Sequence, residues 1–410
     1  MCSAEMRPSP RNLRLHIGLF GRRNVGKSAL LNALTRQEVS IVSPQPGTTT
    51  DPVEKPMELL PLGPVLFVDT AGLDDEGTLG EVRTGRSRAV LDRVDLAILV
   101  AEQGRWGAFE AGLLADLKAR NIPTVVALNK SDLPHPEPLV SPEGVAVVPV
   151  SALQGHGLDG LREALLRAAP EGHFDSRHLL ADLVPPGEVA VLVMPIDSSA
   201  PKGRLILPQV MAVRDVLDGS GLALVVQAQD LSRALFALKR LPALVVTDSQ
   251  AFQSVAQDVP DSVPMTSFSI LMSRFQGDLA AQVRGTFAIE DLREGDRVLV
   301  AEGCTHHPTG EDIGRVKLPR WLDQKVGAPL RFDTVQGREF PEDLSPYRLV
   351  VHCGNCMGNR REMLSRIHRC GAAGVPITNY GLAIAHSLGI LERALHPFPE
   401  VQAALHAYQD

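Results

Sequence analysis

From Leu13 to about Ala169, short apolar runs alternate with amphipathic stretches. LRLHIGLF (13–20), VLFVDTAG (65–72), DLAILVAE (95–102), TVVALNKSD (124–132) and VAVVPVSA (145–152) read as strands, and SALLNALTR (28–36) reads as a helix. Each strand is apolar on both sides of its alternation and ends at a polar motif. That pattern predicts a doubly wound, mostly parallel sheet covered on both faces, with its working loops at the carboxyl ends of the strands.

A polar break at PEGHFDSRH (170–178) reads as a linker. Beyond it VAVLVMPI (189–196), ALVVQA (223–228) and ALVVTDS (243–249) predict three more strands. PQVMAVRDVLD and DLSRALFALKRL predict the helices between them, with Val210, Val213 and Leu217 along one apolar face. A second boundary is expected near VPDSVP (259–264). The α/β chain is thus read as a disordered tail over 1–12, a P-loop domain over 13–170, a small α/β unit over 180–260 and a third α/β unit over 264–410.

Composition narrows the classes. The chain has 410 residues, 44% hydrophobic and 22% charged, with a net charge of −7 and only 4% aromatics. An acidic, aromatic-poor chain offers neither a phosphate-binding field nor a base-stacking surface, so nucleic acid is not an expected partner. No apolar run reaches the roughly 20 residues of a membrane span, and residues 1–11 hold no secretory core, so a cytoplasmic protein is expected.

The first strand and helix flank GRRNVGKS (21–28), which fits the phosphate-cradling P-loop. Amides from Gly21 through Gly26, including those of Asn24 and Val25, face the phosphates. Lys27 neutralises them and Ser28 ligates Mg²⁺. DTAG (69–72) supplies Asp69 to the Mg²⁺ shell and the Gly72 amide to the γ-phosphate. NKSD (129–132) brings Asn129, Lys130 and Asp132; the Asp132 carboxylate accepts from the ring N–H and exocyclic amine of guanine, a donor pair that adenine lacks. SAL, with Ser151 and Ala152, fits the loop that closes over the base. Four motifs in this order define a GTP/GDP- and Mg²⁺-binding domain.

These residues resemble the Era and MnmE branch of GTPases. On that resemblance PGTTTD (46–51) is switch I, Thr49 is the second Mg²⁺ ligand, and Asn24 is the P-loop asparagine that binds K⁺. Arg23 stands where the branch usually has Pro, and apolar Leu73 stands where many GTPases position water with Gln. Slow turnover is therefore expected.

Four of the five cysteines lie after residue 300: Cys304, Cys353, Cys356 and Cys370. VLVAEG (298–303) runs into Cys304-Thr305-His306, and YRLVVH (347–352) ends at His352 before Cys353-Gly354-Asn355-Cys356. If those strands are parallel neighbours, the cysteines meet at one edge of a sheet. Three thiolates and an adjacent histidine suit either a Cys₃His zinc or a [4Fe–4S] cluster with one exchangeable position, and the donor set leaves both open. Cys370 is outside the pattern and reads as a core thiol.

C-x-H, a 45-residue gap and H-C-x-x-C behind an Era-like domain resemble the [FeFe]-hydrogenase maturation GTPases (HydF) over nearly the whole chain. The resemblance implies a [4Fe–4S] cluster on Cys304, Cys353 and Cys356. His306 and His352 each lie close to one of these cysteines in sequence, and imidazole bonds iron less strongly than thiolate, so one of them is expected as a labile or outer ligand. The same resemblance implies a homodimer formed by the middle unit. It also implies a scaffold that receives a di-iron subcluster precursor from radical-SAM maturases and delivers it to the hydrogenase apoprotein. Two rival classes are an RNA-related GTPase of the Era or MnmE type, which calls for a basic appendage, and a zinc-stabilised regulatory GTPase.

Overall fold

The computed structural model describes residues 10–35, 53–59, 62–70, 90–102, 105–134, 142–170, 177–196, 205–304, 312–402 and 405. The chain forms two compact units, 1–176 and 177–410. Arg11–Leu13 form a 3-10 turn closed by the Leu13 amide on the Pro10 carbonyl, with Asn12 buried, so regular structure begins inside the expected tail.

In the first unit the strands are β1 (Leu15–Phe20), β2 (Val53–Leu59), β3 (Gly63–Asp69), β4 (Leu96–Glu102), β5 (Thr124–Asn129) and β6 (Ala146–Pro149). Their order is β2-β3-β1-β4-β5-β6, parallel except for β2. Helices α1 (Lys27–Thr35), α2 (Ala108–Ala119) and α3 (Leu158–Ala168) connect them. Alternation along β4 sorts the core: Leu96, Ile98 and Val100 face one cluster with Leu15, Ile17 and Leu31, while Ala97, Leu99 and Ala101 face the other with Leu113 and Leu117. Both faces of the central strands are therefore dry, which is why β1, β3, β4 and β5 read as apolar runs. The expected run of parallel strands omits β2. Its VEKPMEL carries charge and Pro56, a composition that suits an edge strand and hides the strand signal.

The second unit has two parallel four-stranded sheets. The first joins β7 (Val189–Val193), β8 (Leu222–Val226), β9 (Leu244–Thr247) and β10 (Met265–Ser267) in the order β10-β9-β7-β8. The other joins β11 (Arg297–Glu302), β12 (Arg331–Gln336), β13 (Leu349–His352) and β14 (Ile377–Asn379) in the order β12-β11-β13-β14. Its helices are α4 (Leu207–Asp218), α5 (Leu231–Ala237), α6 (Phe252–Asp258), α7 (Phe268–Gln276), α8 (Leu279–Phe287), α9 (Leu318–Val326), α10 (Arg360–Ala372), α11 (Tyr380–Ser387) and α12 (Leu391–Leu395).

Two features depart from the sequence reading. β10 lies beyond 264 yet completes the first of these sheets, and Leu382, Leu391, Leu395 and Phe398 pack into the same core as Leu192 and Val245. On α4 the buried side chains are Met211, Ala212 and Val216, whereas Val210 and Leu217 are 48% and 57% exposed. Of the apolar face read from the sequence, Val210 and Leu217 thus point outward while Val213 packs partly against the core, and Leu222 and Val225 on edge strand β8 and Phe236 on α5 are exposed as well.

Candidate functional site

The nucleotide site lies at the carboxyl ends of β1, β3 and β5. Gly21 and Gly26 take φ of +146° and +93°; a Cβ there would stand 2.2 Å from the Val100 carbonyl oxygen and 2.3 Å from Asn129 Nδ2. Only glycine lets the loop turn this tightly against β4 and β5. Lys27 Nζ donates to the Gly21 and Arg22 carbonyls at 2.9 and 2.8 Å, which holds the ammonium inside the loop. Ser28 Oγ donates to Asp69 Oδ2 at 2.9 Å, so the two groups expected around Mg²⁺ are in contact. Burial raises the Asp69 carboxyl pKa against the lowering effects of Ser28, Lys27 and Lys55.

Asn129 ties three motifs together. It is buried; its Nδ2 donates to the Val25 carbonyl at 2.8 Å, and its Oδ1 accepts from the Ala152 amide at 3.0 Å. Lys130, with φ of +63°, pairs with Glu102 at 3.2 Å. Ser151 is buried and its Oγ accepts the Gln154 amide, which shapes the base loop. Asp132 follows in a turn after β5. Asn24 is exposed at φ of +63°, beside a cavity of about 310 Å³ lined by Arg22, Arg23, Asn24, Glu102 and Glu110 among others.

The Arg22–Glu110 pair was not legible in the sequence. Arg22 Nε and Nη2 reach Glu110 at 2.6 and 3.1 Å, Glu110 also accepts the Gly107 amide, and the guanidinium lies 4.8 Å from the Phe109 ring centre. Burial opposes ionisation of Glu110, but the bonds from Arg22 and from the helix start prevail and lower its pKa. Thr49, Gly72 and His306 lie outside the described residues.

The cysteines are gathered by strand register. β11 and β13 are parallel neighbours, with Ala301 opposite His352, and the Cys353 amide donates to the Ala301 carbonyl at 2.9 Å. Cys304 and Cys353 therefore leave the same end of the sheet. Cys353 Sγ accepts the Gly303 amide at 3.0 Å and the Asn355 amide at 3.4 Å. Burial first, then negative charge at Cys353, Glu302 and Asp312, pushes Cys304 up to about 11; burial, then Cys353 and Cys304, pushes Cys356 up to about 12; burial also raises Cys353 against its two amide bonds. Such thiols stay protonated near neutral pH unless a cation offsets the charge of the thiolates. Among the described residues no three His, Cys, Asp or Glu side chains converge on the geometry of one bound ion. Cys370 is fully buried beside Leu299 and Met363, with its pKa raised to about 12 by burial.

His352 is buried, and both of its ring nitrogens are engaged. Arg366 Nη1 approaches Nε2 at 2.7 Å, and Nδ1 lies 2.7 Å from the Cys353 carbonyl oxygen. A guanidinium only donates, so Nε2 accepts and the proton sits on Nδ1, bonded to that carbonyl. Burial and then the Arg366 charge depress the imidazole to about 3, against the Cys353 bond. This neutral ring braces the cysteine backbone. Tyr380, at the end of β14, also faces the site: burial, then negative charge at Cys353, Glu302, Asp312 and Cys304, raises its phenol well above 10.

Fold and motifs together define a P-loop GTPase of the Era and MnmE branch. Residues 16–130 match the family model described as 50S ribosome-binding GTPase. Human mitochondrial 5-taurinomethyluridine-[tRNA] synthase subunit GTPB3 is 38% identical over 178 residues, which are 40% of this chain and 36% of that protein. The tRNA modification GTPase MnmE of Chloroflexus aurantiacus is 40% identical over 153 residues, 36% of this chain and 33% of its own. GTPase Era of Xanthomonas campestris pv. campestris is 37% identical over 166 residues, 38% and 55% of the two chains. The chain thus spans about a third to a half of the length of these relatives. The G domain of the T. maritima FeoB iron transporter is 25% identical, with 38% of this chain and 98% of that one covered and a TM-score of 0.29.

The remainder of the chain identifies the family. Residues 179–277 match the hydrogen maturase F dimerization domain and residues 280–397 its tetramerization domain. The chain belongs to hydrogen maturase F, the GTP-binding hydrogenase maturation proteins, and carries two oligomerization domains behind its GTPase domain. Among the described residues no helix is long and apolar enough to cross a membrane.

Proposed function

We propose that this chain is a GTP-hydrolysing scaffold that holds a [4Fe–4S] cluster on Cys304, Cys353 and Cys356 and carries a di-iron subcluster precursor to the [FeFe]-hydrogenase apoprotein. The observation that carries the reading is the β11–β13 register, which brings Cys304 and the Cys353–Cys356 pair to one end of one sheet. The chemistry of the donor set supports the group: three cysteine sulfurs leave one end of one sheet, and one of them, on Cys353, already accepts two backbone amides as a cluster thiolate would. When bound, such a cluster supplies an exchangeable iron position at which the di-iron cargo can be held.

In the GTPase domain Lys27 exchanges its two loop carbonyls for phosphate oxygens. Ser28 and Asp69 exchange their mutual bond for Mg²⁺ and its water shell, with Thr49 as second ligand and the Gly72 amide on the γ-phosphate. Asp132 reads guanine while Asn129 keeps the base and phosphate loops in register. Asn24 offers its side chain to K⁺ at the loop surface. Turnover is slow because Leu73 cannot orient water. The cargo comes from radical-SAM maturases, and the carrier is a homodimer formed through the 180–260 unit.

Activation of purified hydrogenase apoprotein tests this. Chain prepared alongside the radical-SAM maturases is expected to restore hydrogen evolution, and the Cys353→Ser chain prepared identically is expected to restore almost none. Equal activation by the two would remove the cysteine site from the proposed function.

A further inference from the structure

The register of the third sheet sets further side chains beside Cys353. Ala301, His352 and Asn379 lie side by side on β11, β13 and β14, so the next residues, Glu302, Cys353 and Tyr380, leave the three strand ends together. Glu302 is buried, and its Oε2 accepts from Gln336 Nε2 at 2.9 Å. The Tyr380 hydroxyl is also buried, yet it has no hydrogen-bond partner among the described residues. Hydroxyl and carboxylate converge over Gly314: a Cβ there would stand 2.3 Å from Tyr380 Oη and 2.6 Å from Glu302 Oε1. A buried hydroxyl without a partner is costly, so its retention calls for an acceptor supplied from beyond the described residues.

We propose that Tyr380 is a hydrogen-bond donor of the cluster site, its hydroxyl donating to a sulfide or thiolate sulfur of the bound iron–sulfur group. The inference rests on the cluster reading above and adds a residue that lies outside the cysteine motif. A phenol is neutral, donates one proton along a fixed ring axis, and leaves the sulfurs their charge. Its bond draws electron density from sulfur and favours the reduced, more negative state. Tyr380 therefore raises the reduction potential of the site.

The test compares full-length wild type and Tyr380→Phe, each reconstituted anaerobically with iron and sulfide. Melting of the two apo forms is measured alongside iron and sulfide content, electron paramagnetic resonance and midpoint potential. The expected result is an apo variant at least as heat-stable as wild type, because the hydroxyl it loses has no hydrogen-bond partner among the described residues. The loaded variant should keep its iron and sulfide, with a midpoint potential shifted to more negative values and an altered resonance. Loss of iron from an apo variant that melts like wild type would support the same contact. An unchanged potential and spectrum would overturn the proposal, and so would an apo variant that melts lower, since the hydroxyl would then serve the protein alone. Wild type that takes up no four-iron cluster would instead sink the cluster reading itself.

Discussion

Arg366 donates to Nε2 of His352 at 2.7 Å, which removes the one ring nitrogen that could have faced a metal. His352 is then a brace: its Nδ1–H holds the Cys353 carbonyl and fixes the direction in which that thiol leaves β13. His352→Ala is expected to keep iron and sulfide but broaden or shift the electron paramagnetic resonance spectrum, without changing the response to added imidazole. It should destabilise the apo protein by about 2–4 kcal/mol, through a buried cavity and a lost charged hydrogen bond. Thermal melting and spectroscopy of the variant check both statements. Iron loss as complete as in a cysteine variant would make His352 a ligand.

Asn129 bridges the Val25 carbonyl and the Ala152 amide, and so joins the phosphate loop to the base loop. Asn129→Ala breaks two buried bonds and should weaken GTP and GDP alike by about 2–3 kcal/mol. Asp132→Asn acts on the base alone and should move preference from guanosine to xanthosine triphosphate, because an amide donates to the xanthine oxygen. Titration with fluorescent nucleotides separates the two; undiminished GTP affinity in Asp132→Asn would contradict the base assignment.

The exposed Asn24 side chain stands at φ of +63° on the rim of the loop. GTP hydrolysis should be several-fold faster in KCl than in NaCl at matched ionic strength. Asn24→Ala should abolish that difference and leave nucleotide affinity within about 0.5 kcal/mol of wild type. Equal rates in the two salts for the wild type would remove K⁺ from the account and point to Arg23 as the residue that altered the loop.

Strand β8 is an outer strand of its sheet, and its Leu222 and Val225 are 56% and 46% exposed. An apolar, unpaired edge is a ready pairing site. Val225→Lys is expected to shift the full chain toward smaller species in sedimentation velocity at micromolar concentration, with melting nearly unchanged. A sedimentation profile identical to wild type would exclude this edge from the dimer.

Much of this was legible from the sequence, for a physical reason. A parallel sheet with two dry faces writes itself as apolar runs, and phosphate chemistry demands fixed spacings, so β1, β3, Lys27 and Asp132 were visible at once. β2 was hidden because an edge strand carries Glu54, Lys55 and Pro56. The apolar face of Val210, Val213 and Leu217 was visible, but periodicity does not say what covers it: Val213 packs partly on the core, whereas Val210 and Leu217 are exposed. His352 acquires its role only through packing, since Arg366 reaches its ring from helix α10, and Tyr380 comes beside Cys353 only through the β13–β14 register.

Iron, acid-labile sulfide and zinc counted per chain after anaerobic purification, for wild type and for Cys304→Ser, Cys353→Ser, Cys356→Ser and Cys370→Ser, decide whether the three cysteines hold a cluster. Wild-type and Cys370→Ser protein should be brown, with about four irons and four sulfides per chain. The other three variants should lose most of both. Colourless wild-type protein with one zinc would rule the cluster out.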